Sequence, residues 1–516
     1  MLAKNIKKID IFDIITVLII VLYVSSFFII NFKGLYIVYD SDMYADTLIS
    51  KYIWNYKSIF PDHWIFGNQC FVIGTPVIAA FVYGICRNMF LSISIATTIE
   101  TILIIIVFVW MIKPFISNKS ITIGILILLS SAIGCEIGKQ LEGQLFYLTV
   151  SYYSSYMITL LLVGGCFARI VDGIKVNRIL YCLSLLFSMA CGMQSLRQTA
   201  LMVIPLFMCC FIYRKKECFV YTLQIFVFNI SGIILIRIFG PKFNTIYGGS
   251  SITSFSDLID KILNGFDAIK KISGIRWLIK GNIVGLFGLL LFILTCVCIV
   301  FIIFYRKNNG ITSLVYLFLF GIISTIGASI FTKVNLRYIY IFSYYPLVAV
   351  SCSYLVNLLE YCNIKTHKLL YFTICVSLIV GSFRNLTISY WQEVRESLFC
   401  NDVSIEKDVC DYINSNDFNY VYMDWSHLGK CINLEDRIIA GAWSKEPFCI
   451  IEYLNAQDVY DEYHNKKAVY WLYKDEVNSA IEIANKNNAV FSKIKEFNGG
   501  EIQLFTSDKQ LMYFDK

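Results

Sequence analysis

Long apolar runs separated by short polar segments dominate the first 390 residues of the chain. The first run, residues 11–32, is long enough to cross a bilayer, which takes roughly 20 apolar residues in a helix. The pattern predicts an α-helical polytopic membrane protein with about eleven transmembrane helices. We place them at residues 11–32, 91–112, 120–134, 146–168, 179–194, 199–213, 218–236, 282–304, 311–331, 338–360 and 369–383.

Short basic clusters orient these helices. They occur at Lys4–Lys8, Lys113–Lys119, Arg169–Arg178, Arg214–Lys216, Arg306–Lys307 and Lys365–Lys368. Because lysine and arginine accumulate in cytoplasmic loops, the clusters predict an amino terminus inside and a carboxyl terminus outside. All clusters fall on one face only if residues 71–86, a short apolar run containing Pro76, lie in the membrane interface instead of spanning. The outer loops are then 33–90, 135–145 and 237–281.

The composition supports a membrane protein and excludes several other classes. Hydrophobic residues make up 57% of the chain and charged residues 16%, against about 25% charged in an ordinary soluble domain. The formal net charge of +7 comes from topology-setting clusters, so it does not indicate nucleic acid. The 18 cysteines lie mostly in apolar runs, and no spaced Cys/His set predicts a metal site.

The composition changes near residue 390, where apolar runs shorten and charges increase. We therefore divide the chain into a transmembrane module, 1–389, and an extracytoplasmic α/β domain, 390–516. Within that domain the pattern predicts helices at Ser404–Asn414 and Val477–Asn487 and strands at Asn419–Trp425, Ala468–Tyr473 and Glu501–Thr506.

Candidate chemistry begins directly after the first apolar run, in the stretch Val38–Asp46. This stretch contains the carboxylates of Asp40, Asp42 and Asp46, followed by a predicted helix at Ala45–Tyr56. Carboxylates just outside a membrane can act as general bases, bind a cation or cap the next helix. We consider Asp42 and Asp40 the first candidates for catalysis.

Other ionisable residues are predicted on the same outer face. Glu136 and Glu142 lie in the second outer loop, while Arg197 and Arg337 lie in short turns between apolar helices. A guanidinium group binds phosphate well, so both arginines are candidates for that role. The alternatives are an ion pair between Arg197 and Glu136 or Glu142, and an interfacial anchor at Arg337.

This arrangement resembles polytopic glycosyltransferases of the GT-C fold, which use polyprenyl-phosphate sugars as donors. In that family a catalytic acid follows the first helix, a second acid lies in the next outer loop, and an arginine precedes a late helix. Asp40-Ser41-Asp42 resembles the first feature, Glu136 or Glu142 the second, and Leu336-Arg337-Tyr338 the third. The first loop carries Asp-Ser-Asp where protein mannosyltransferase relatives carry an Asp-Glu pair.

The resemblance implies transfer of a sugar from a polyprenyl-phosphate donor to a glycan, lipid or protein acceptor. One carboxylate would take the acceptor's proton, and an arginine would stabilise the leaving phosphate. No metal is required for a monophosphate leaving group. For a diphosphate donor, Asp40 and Asp42 would instead hold Mg²⁺ or Mn²⁺.

Two other functions fit parts of the pattern. A polysaccharide polymerase or ligase would use long basic outer loops, and residues 237–281 form a long loop with several cations. A transporter or flippase would carry charges in the middle of its helices and show an internal repeat. Here the charges cluster at the outer face, which favours a transferase.

Overall fold

The protein is described from a computed structural model. The structure describes residues 11–32, 41–67, 70–129, 150–241, 254–273, 275, 279, 284–305, 309–331, 338–361, 370, 373–374, 405–444, 446–451, 454–461 and 466–514.

Helices dominate the part of the chain before residue 390. They are α1 (Ile11–Phe32), α2 (Ser41–Tyr56), α3 (Thr75–Cys86), α4 (Met89–Ile112), α5 (Asn118–Leu129), α6 (Val150–Val171), α7 (Arg178–Gln194), α8 (Ile204–Tyr213), α9 (Lys216–Phe239), α10 (Phe255–Ile272), α11 (Val284–Tyr305), α12 (Gly310–Phe331) and α13 (Tyr345–Tyr361). Two π-helical segments, Thr199–Val203 and Ile339–Tyr344, directly precede α8 and α13.

Several of these helices meet the length and hydropathy that a bilayer crossing requires. Among the described residues they are Met89–Ile112, Tyr153–Val171, Lys216–Phe239, Gly310–Ile330 and Phe342–Tyr361. Shorter apolar helices occupy most of the other predicted spans. The last predicted span, 369–383, lies almost wholly outside the described residues, so the count of eleven stays a prediction.

The chain forms two compact units. The first comprises residues 1–30, 100–234 and 248–392. Small residues allow its helices to approach closely, as membrane helices often do. Gly192 of α7 faces the backbone of Asn229 in α9, and Gly232 of α9 faces the backbone of Met189 in α7, with no room for a Cβ atom at either glycine.

Arg169, near the end of α6, is buried for a structural reason. Its guanidinium group donates hydrogen bonds to the carbonyl oxygens of Trp110 (2.5 Å) and Met111 (3.4 Å) and stacks on the Trp110 ring at 3.8 Å. These carbonyl groups lie in the last turn of α4, where no amide of the same helix is left to bond to them. The arginine therefore caps the carboxyl-terminal end of α4.

The second unit comprises residues 31–99, 235–247 and 393–516. Its strands are β1 (Trp64–Ile65), β2 (Tyr420–Asp424), β3 (Ile439–Trp443), β4 (Asn455–Ala456), β5 (Ala468–Tyr473), β6 (Phe491–Phe497) and β7 (Ile502–Ser507). Five of them form a mixed sheet in the order β3-β2-β5-β7-β6, with helices α14 (Ile405–Asn414) and α15 (Val477–Lys486).

The predicted α/β character of the carboxyl-terminal region is confirmed, and both helices and three strands lie where the sequence pattern put them. Strands β3 and β6 were not predicted. β3 has the sequence Ile-Ala-Gly-Ala-Trp, which carries little β-propensity of its own. β6 is an edge strand with lysines and a glutamate, which protect an edge from further pairing but weaken the hydrophobic pattern.

Candidate active site

Asp42, one of the two carboxylate candidates of the first loop, lies on α2. This helix begins at Ser41, earlier than the predicted start at Ala45, so Asp42 belongs to its first turn. A negative charge is favourable there because the helix dipole leaves the amino end positive. Asp42 is half-buried, and Asp46, one turn later, is only 2% exposed. Residues four apart share one helix face, so the two carboxylates lie on the same side of α2.

Residues on both sides of Asp42 are anchored to the carboxyl-terminal region. The Ser41 hydroxyl donates a hydrogen bond to the carbonyl oxygen of Trp425. The amide of Ala440, on the sheet's edge strand β3, donates to the Tyr44 hydroxyl at 2.7 Å. Burial raises the pKa of Tyr44 well above its usual value, so this hydroxyl stays neutral. These contacts fix the backbone on each side of Asp42.

The later part of the loop is held to the same region. The Tyr52 hydroxyl donates to Asp458 at 2.6 Å, and the Gln457 amide donates to the His63 carbonyl at 2.7 Å. Beside these bonds, β1 pairs with β4 in antiparallel register, Trp64 opposite Ala456. The loop is therefore part of the folded second unit.

Asp436 joins three separate elements of the loop. Its carboxylate accepts hydrogen bonds from the Tyr83 hydroxyl at 2.8 Å and from the Met89 amide at 3.2 Å. Its backbone carbonyl accepts from the Lys51 ammonium at 2.6 Å. Met89 is the first residue of α4, so Asp436 supplies the acceptor that this helix start needs. Burial lowers the pKa of Lys51. We name Lys51, Tyr83, Met89 and Asp436 the Asp436 joint.

The Asp436 joint can be tested by substitution. Asp436→Ala removes two hydrogen bonds to a carboxylate, and a charged hydrogen bond typically contributes about 1.5–3 kcal/mol. We expect faster amide hydrogen exchange in residues 41–56 and 75–89 of the purified full-length protein. Glu435→Ala is the matched control because Glu435 makes an exposed ion pair with Arg437, and exposed pairs contribute about 0–1 kcal/mol. Unchanged exchange in Asp436→Ala would show that the joint does not hold the loop.

Arg197 lies in the first unit, in the turn between α7 and the π-helical segment Thr199–Val203. Its guanidinium carbon lies 5.0 Å from the ring centre of Tyr338 and 5.9 Å from that of Tyr153. Tyr338 directly follows Arg337 in the sequence. Arg197 therefore contacts Tyr338, the residue that follows the other arginine candidate, Arg337, in the sequence.

The two π-helical segments pack on the same helix. Gly321 of α12 leaves no room for a Cβ atom because the Ser343 hydroxyl, in the segment Ile339–Tyr344, lies against it. One turn on, the Ser324 hydroxyl donates to the carbonyl oxygen of Ala200, in the segment Thr199–Val203, at 2.5 Å. π-Helical turns are rare and frequently occur at functional sites. Each π-helical segment begins two residues after a candidate arginine: Thr199 follows Arg197, and Ile339 follows Arg337.

Neither a protein-family model nor a curated protein sequence matches the chain. A solved structure does: ArnT from Cupriavidus metallidurans in the apo state, with a TM-score of 0.54 over 96% of this chain and 98% of that chain. The fold is GT-C-like. At 10% sequence identity the similarity shows the fold alone. It confirms the predicted multi-pass helical architecture with a carboxyl-terminal sheet region.

Four of the six site residues predicted from the sequence, Asp40, Glu136, Glu142 and Arg337, lie outside the described residues of this GT-C-like chain. Within the described ranges, no group of three or more His, Cys, Asp or Glu side chains is arranged to hold a metal ion. Because Asp40 is not described, the Mg²⁺ or Mn²⁺ alternative stays a prediction.

A polar cleft of about 320 Å³ lies in the carboxyl-terminal region of the second unit. Its lining includes Asp424, His427, Trp443 and Glu476. These side chains have structural partners: Asp424 accepts from the Ser426 amide at 2.8 Å, and Glu476 accepts from the Trp443 indole at 3.2 Å. Burial lowers the pKa of His427 and raises the pKa of Glu476 to about 7.

The raised pKa of Glu476 predicts a pH dependence. The usual pKa of this carboxyl group is 4.5, so folding favours its protonated form. The stability that the protonated carboxyl contributes is present below about pH 4.5 and is lost as the pH rises to about 7. Both carboxylate oxygens accept an N–H, from Trp443 and from Tyr473, so a glutamine changes these hydrogen bonds at every pH. We therefore expect Glu476→Gln to reduce the loss of stability of the full-length protein between about pH 5 and pH 8 by about 1–2 kcal/mol, allowing for solvent screening. Thermal melts at about pH 5 and pH 8 measure this. Glu482→Gln, exposed on α15, should leave the pH dependence unchanged, and a Glu476→Gln profile equal to the original would contradict the assignment.

Proposed function

We propose that this chain is a membrane glycosyltransferase that moves a sugar from a polyprenyl-phosphate donor to an acceptor on the outer face of the membrane. The observation that carries the proposal is the anchoring of Asp42. Its helix is bonded to the carboxyl-terminal region on both sides of the carboxylate, through Ser41 and Tyr44, in a chain with a GT-C-like fold. A catalytic group needs such a fixed geometry.

In the proposed reaction, Asp42 removes the proton from an acceptor hydroxyl. The acceptor oxygen forms a bond to the anomeric carbon as the bond from that carbon to the phosphate oxygen breaks. The sugar leaves the donor with inverted configuration, and polyprenyl phosphate departs with one more negative charge. Arg197 and Arg337 would stabilise that charge. Asp46, which the sequence analysis did not select, is a further candidate to position Asp42.

The contact between Arg197 and Tyr338 supports a site in which Arg197 and Arg337 bind the same phosphate. A guanidinium group keeps its charge at membrane depth and can hold two phosphate oxygens at once. A polymerase or ligase acting on a lipid-linked glycan would use the same chemistry.

The direct test is transfer by the purified protein in nanodiscs. Polyprenyl-phosphate sugars of several kinds are supplied with a radiolabelled sugar, and release of the label from the lipid is measured with and without candidate acceptors. Labelled product or donor hydrolysis that disappears in Asp42→Asn supports the proposal. Binding of no polyprenyl-phosphate sugar would contradict it.

The topology can be tested separately. We propose that residues 390–516 form an extracytoplasmic domain, and reporter fusions after residue 516 check this. A cytoplasmic location would contradict both the topology and the outer-face reaction.

A further inference from the structure

Helix α10 (Phe255–Ile272), in the first unit, is amphipathic and exposes its apolar side. Phe255, Ile259, Leu263 and Phe266 are 76%, 42%, 56% and 57% exposed. At 3.6 residues per turn these four side chains fall within one continuous stripe of the helix surface. Four large exposed apolar side chains in one stripe form a patch that mediates contact with a partner or a membrane.

One of the other two sides of α10 packs against α12, and the other is polar. Gly265 is buried against α12, where a Cβ atom on the glycine would lie only 2.8 Å from Ile326 Cγ2. The side opposite the stripe carries polar residues: Asn264, which is exposed, and the ion pair of Asp257 with Lys261. Packing against α12 therefore leaves the apolar stripe uncovered among the described residues.

The position of the contact along α12 indicates what covers the stripe. Ile326 lies four residues before Ile330, the last residue of the candidate span Gly310–Ile330. At 1.5 Å per residue, α10 crosses this span about 6 Å from its end. Amphipathic helices in a membrane interface bury their apolar face about 5–10 Å into the headgroup and acyl boundary. The distance of about 6 Å from the end of the apolar span falls within that range.

We propose that α10 is an interfacial membrane helix whose stripe of Phe255, Ile259, Leu263 and Phe266 is covered by bilayer lipid. The helix follows the candidate span Lys216–Phe239 and precedes the apolar helix α11, so its lipid contact continues the lipid-facing surface of the bundle. Phenylalanine and leucine on one side with charged residues on the other are typical of such helices.

The position of α10 also relates it to Arg197. Ser324, two residues before Ile326 on α12, is hydrogen-bonded to Ala200, three residues after Arg197. The interfacial helix therefore lies at the same end of the first unit as Arg197. This places the arginine near headgroup depth, where a lipid-anchored phosphate would be found.

Photo-crosslinking of the full-length protein tests this contact. Phe266 or Leu263 is replaced by p-benzoylphenylalanine, and the protein is irradiated in phosphatidylcholine–phosphatidylglycerol nanodiscs. We expect lipid adducts by mass spectrometry at both positions, at levels comparable to Phe304, which is 79% exposed on α11. The matched control is Asn264 on the polar side of α10, where we expect several-fold less lipid adduct.

Three results would overturn the proposal. One is the absence of lipid adducts at Leu263 and Phe266 while Phe304 is labelled. Another is crosslinking of these positions to a second copy of the chain, which would make the stripe an oligomer interface. Equal labelling at Asn264 would show that the helix has no defined orientation in lipid. Because two stripe positions are tested independently, misfolding of one variant does not remove the test.

Discussion

Asp42→Asn is expected to lower sugar transfer by about 10²–10⁴-fold, the range typical of losing a general base. Asparagine keeps the shape of the side chain but cannot accept the acceptor's proton. Asp42 is half-buried at a helix start, and Ser41 and Tyr44 hold this start to the carboxyl-terminal region. Loss of a negative charge at a helix start costs about 0.3–1 kcal/mol, so we expect the variant to fold with a slightly lower thermal transition. Initial rates in nanodiscs and thermal melts measure the two effects.

Asp40→Asn and Asp46→Asn are the comparisons for Asp42. Asp40→Asn should be less severe if no metal is bound, and equally severe if Asp40 and Asp42 share a cation. Asp46 is buried, so its replacement should change the thermal transition as well as the rate. Full activity in Asp40→Asn, Asp42→Asn and the double variant would show that the carboxylates of the first loop take no part in the reaction.

Arg337→Ala and Arg197→Ala are each expected to weaken transfer by roughly ten- to a hundredfold. A charged hydrogen bond to phosphate is typically worth about 1.5–3 kcal/mol, which corresponds to that range. Arg337→Lys and Arg197→Lys keep the charge but lose the bidentate geometry, so both should retain partial activity. The measurement is kcat/KM with a polyprenyl-phosphate sugar.

The double variant decides whether the two arginines serve one phosphate. If they do, its loss should differ from the product of the single losses, because groups acting as a unit are not additive. Arg214→Ala, at the carboxyl-terminal end of α8, is the control for a general charge effect. Normal transfer by Arg337→Ala with loss in Arg197→Ala would place the phosphate site at Arg197 and leave Arg337 as an interfacial anchor.

The positions of the helices could be predicted from the sequence. Predicted spans 91–112, 179–194 and 311–331 correspond to Met89–Ile112, Arg178–Gln194 and Gly310–Phe331. A helix in a membrane satisfies all its backbone hydrogen bonds locally, so an apolar run of sufficient length is enough to predict it. The local sequence pattern also predicted most of α2, as Ala45–Tyr56, and the acidic stretch before it, which contains Asp42.

The anchoring of that stretch was decided only by the tertiary structure. The bonds from Ser41 to Trp425 and from Ala440 to Tyr44 join residues nearly four hundred positions apart, and no local pattern marks them. The burial of Asp46 depends on the same long-range packing, although its spacing of four from Asp42 was visible in the sequence.

The contact of Arg197 with Tyr338 and the π-helical segments also came from the structure alone. A π-turn differs from an α-turn by one residue per hydrogen-bonded ring, and the same apolar sequence satisfies both. Both π-helical segments pack against α12, a contact that their own sequences do not reveal. The sequence by itself therefore determined a polytopic helical chain with a carboxyl-terminal α/β region, while long-range contacts decided which polar residues come together.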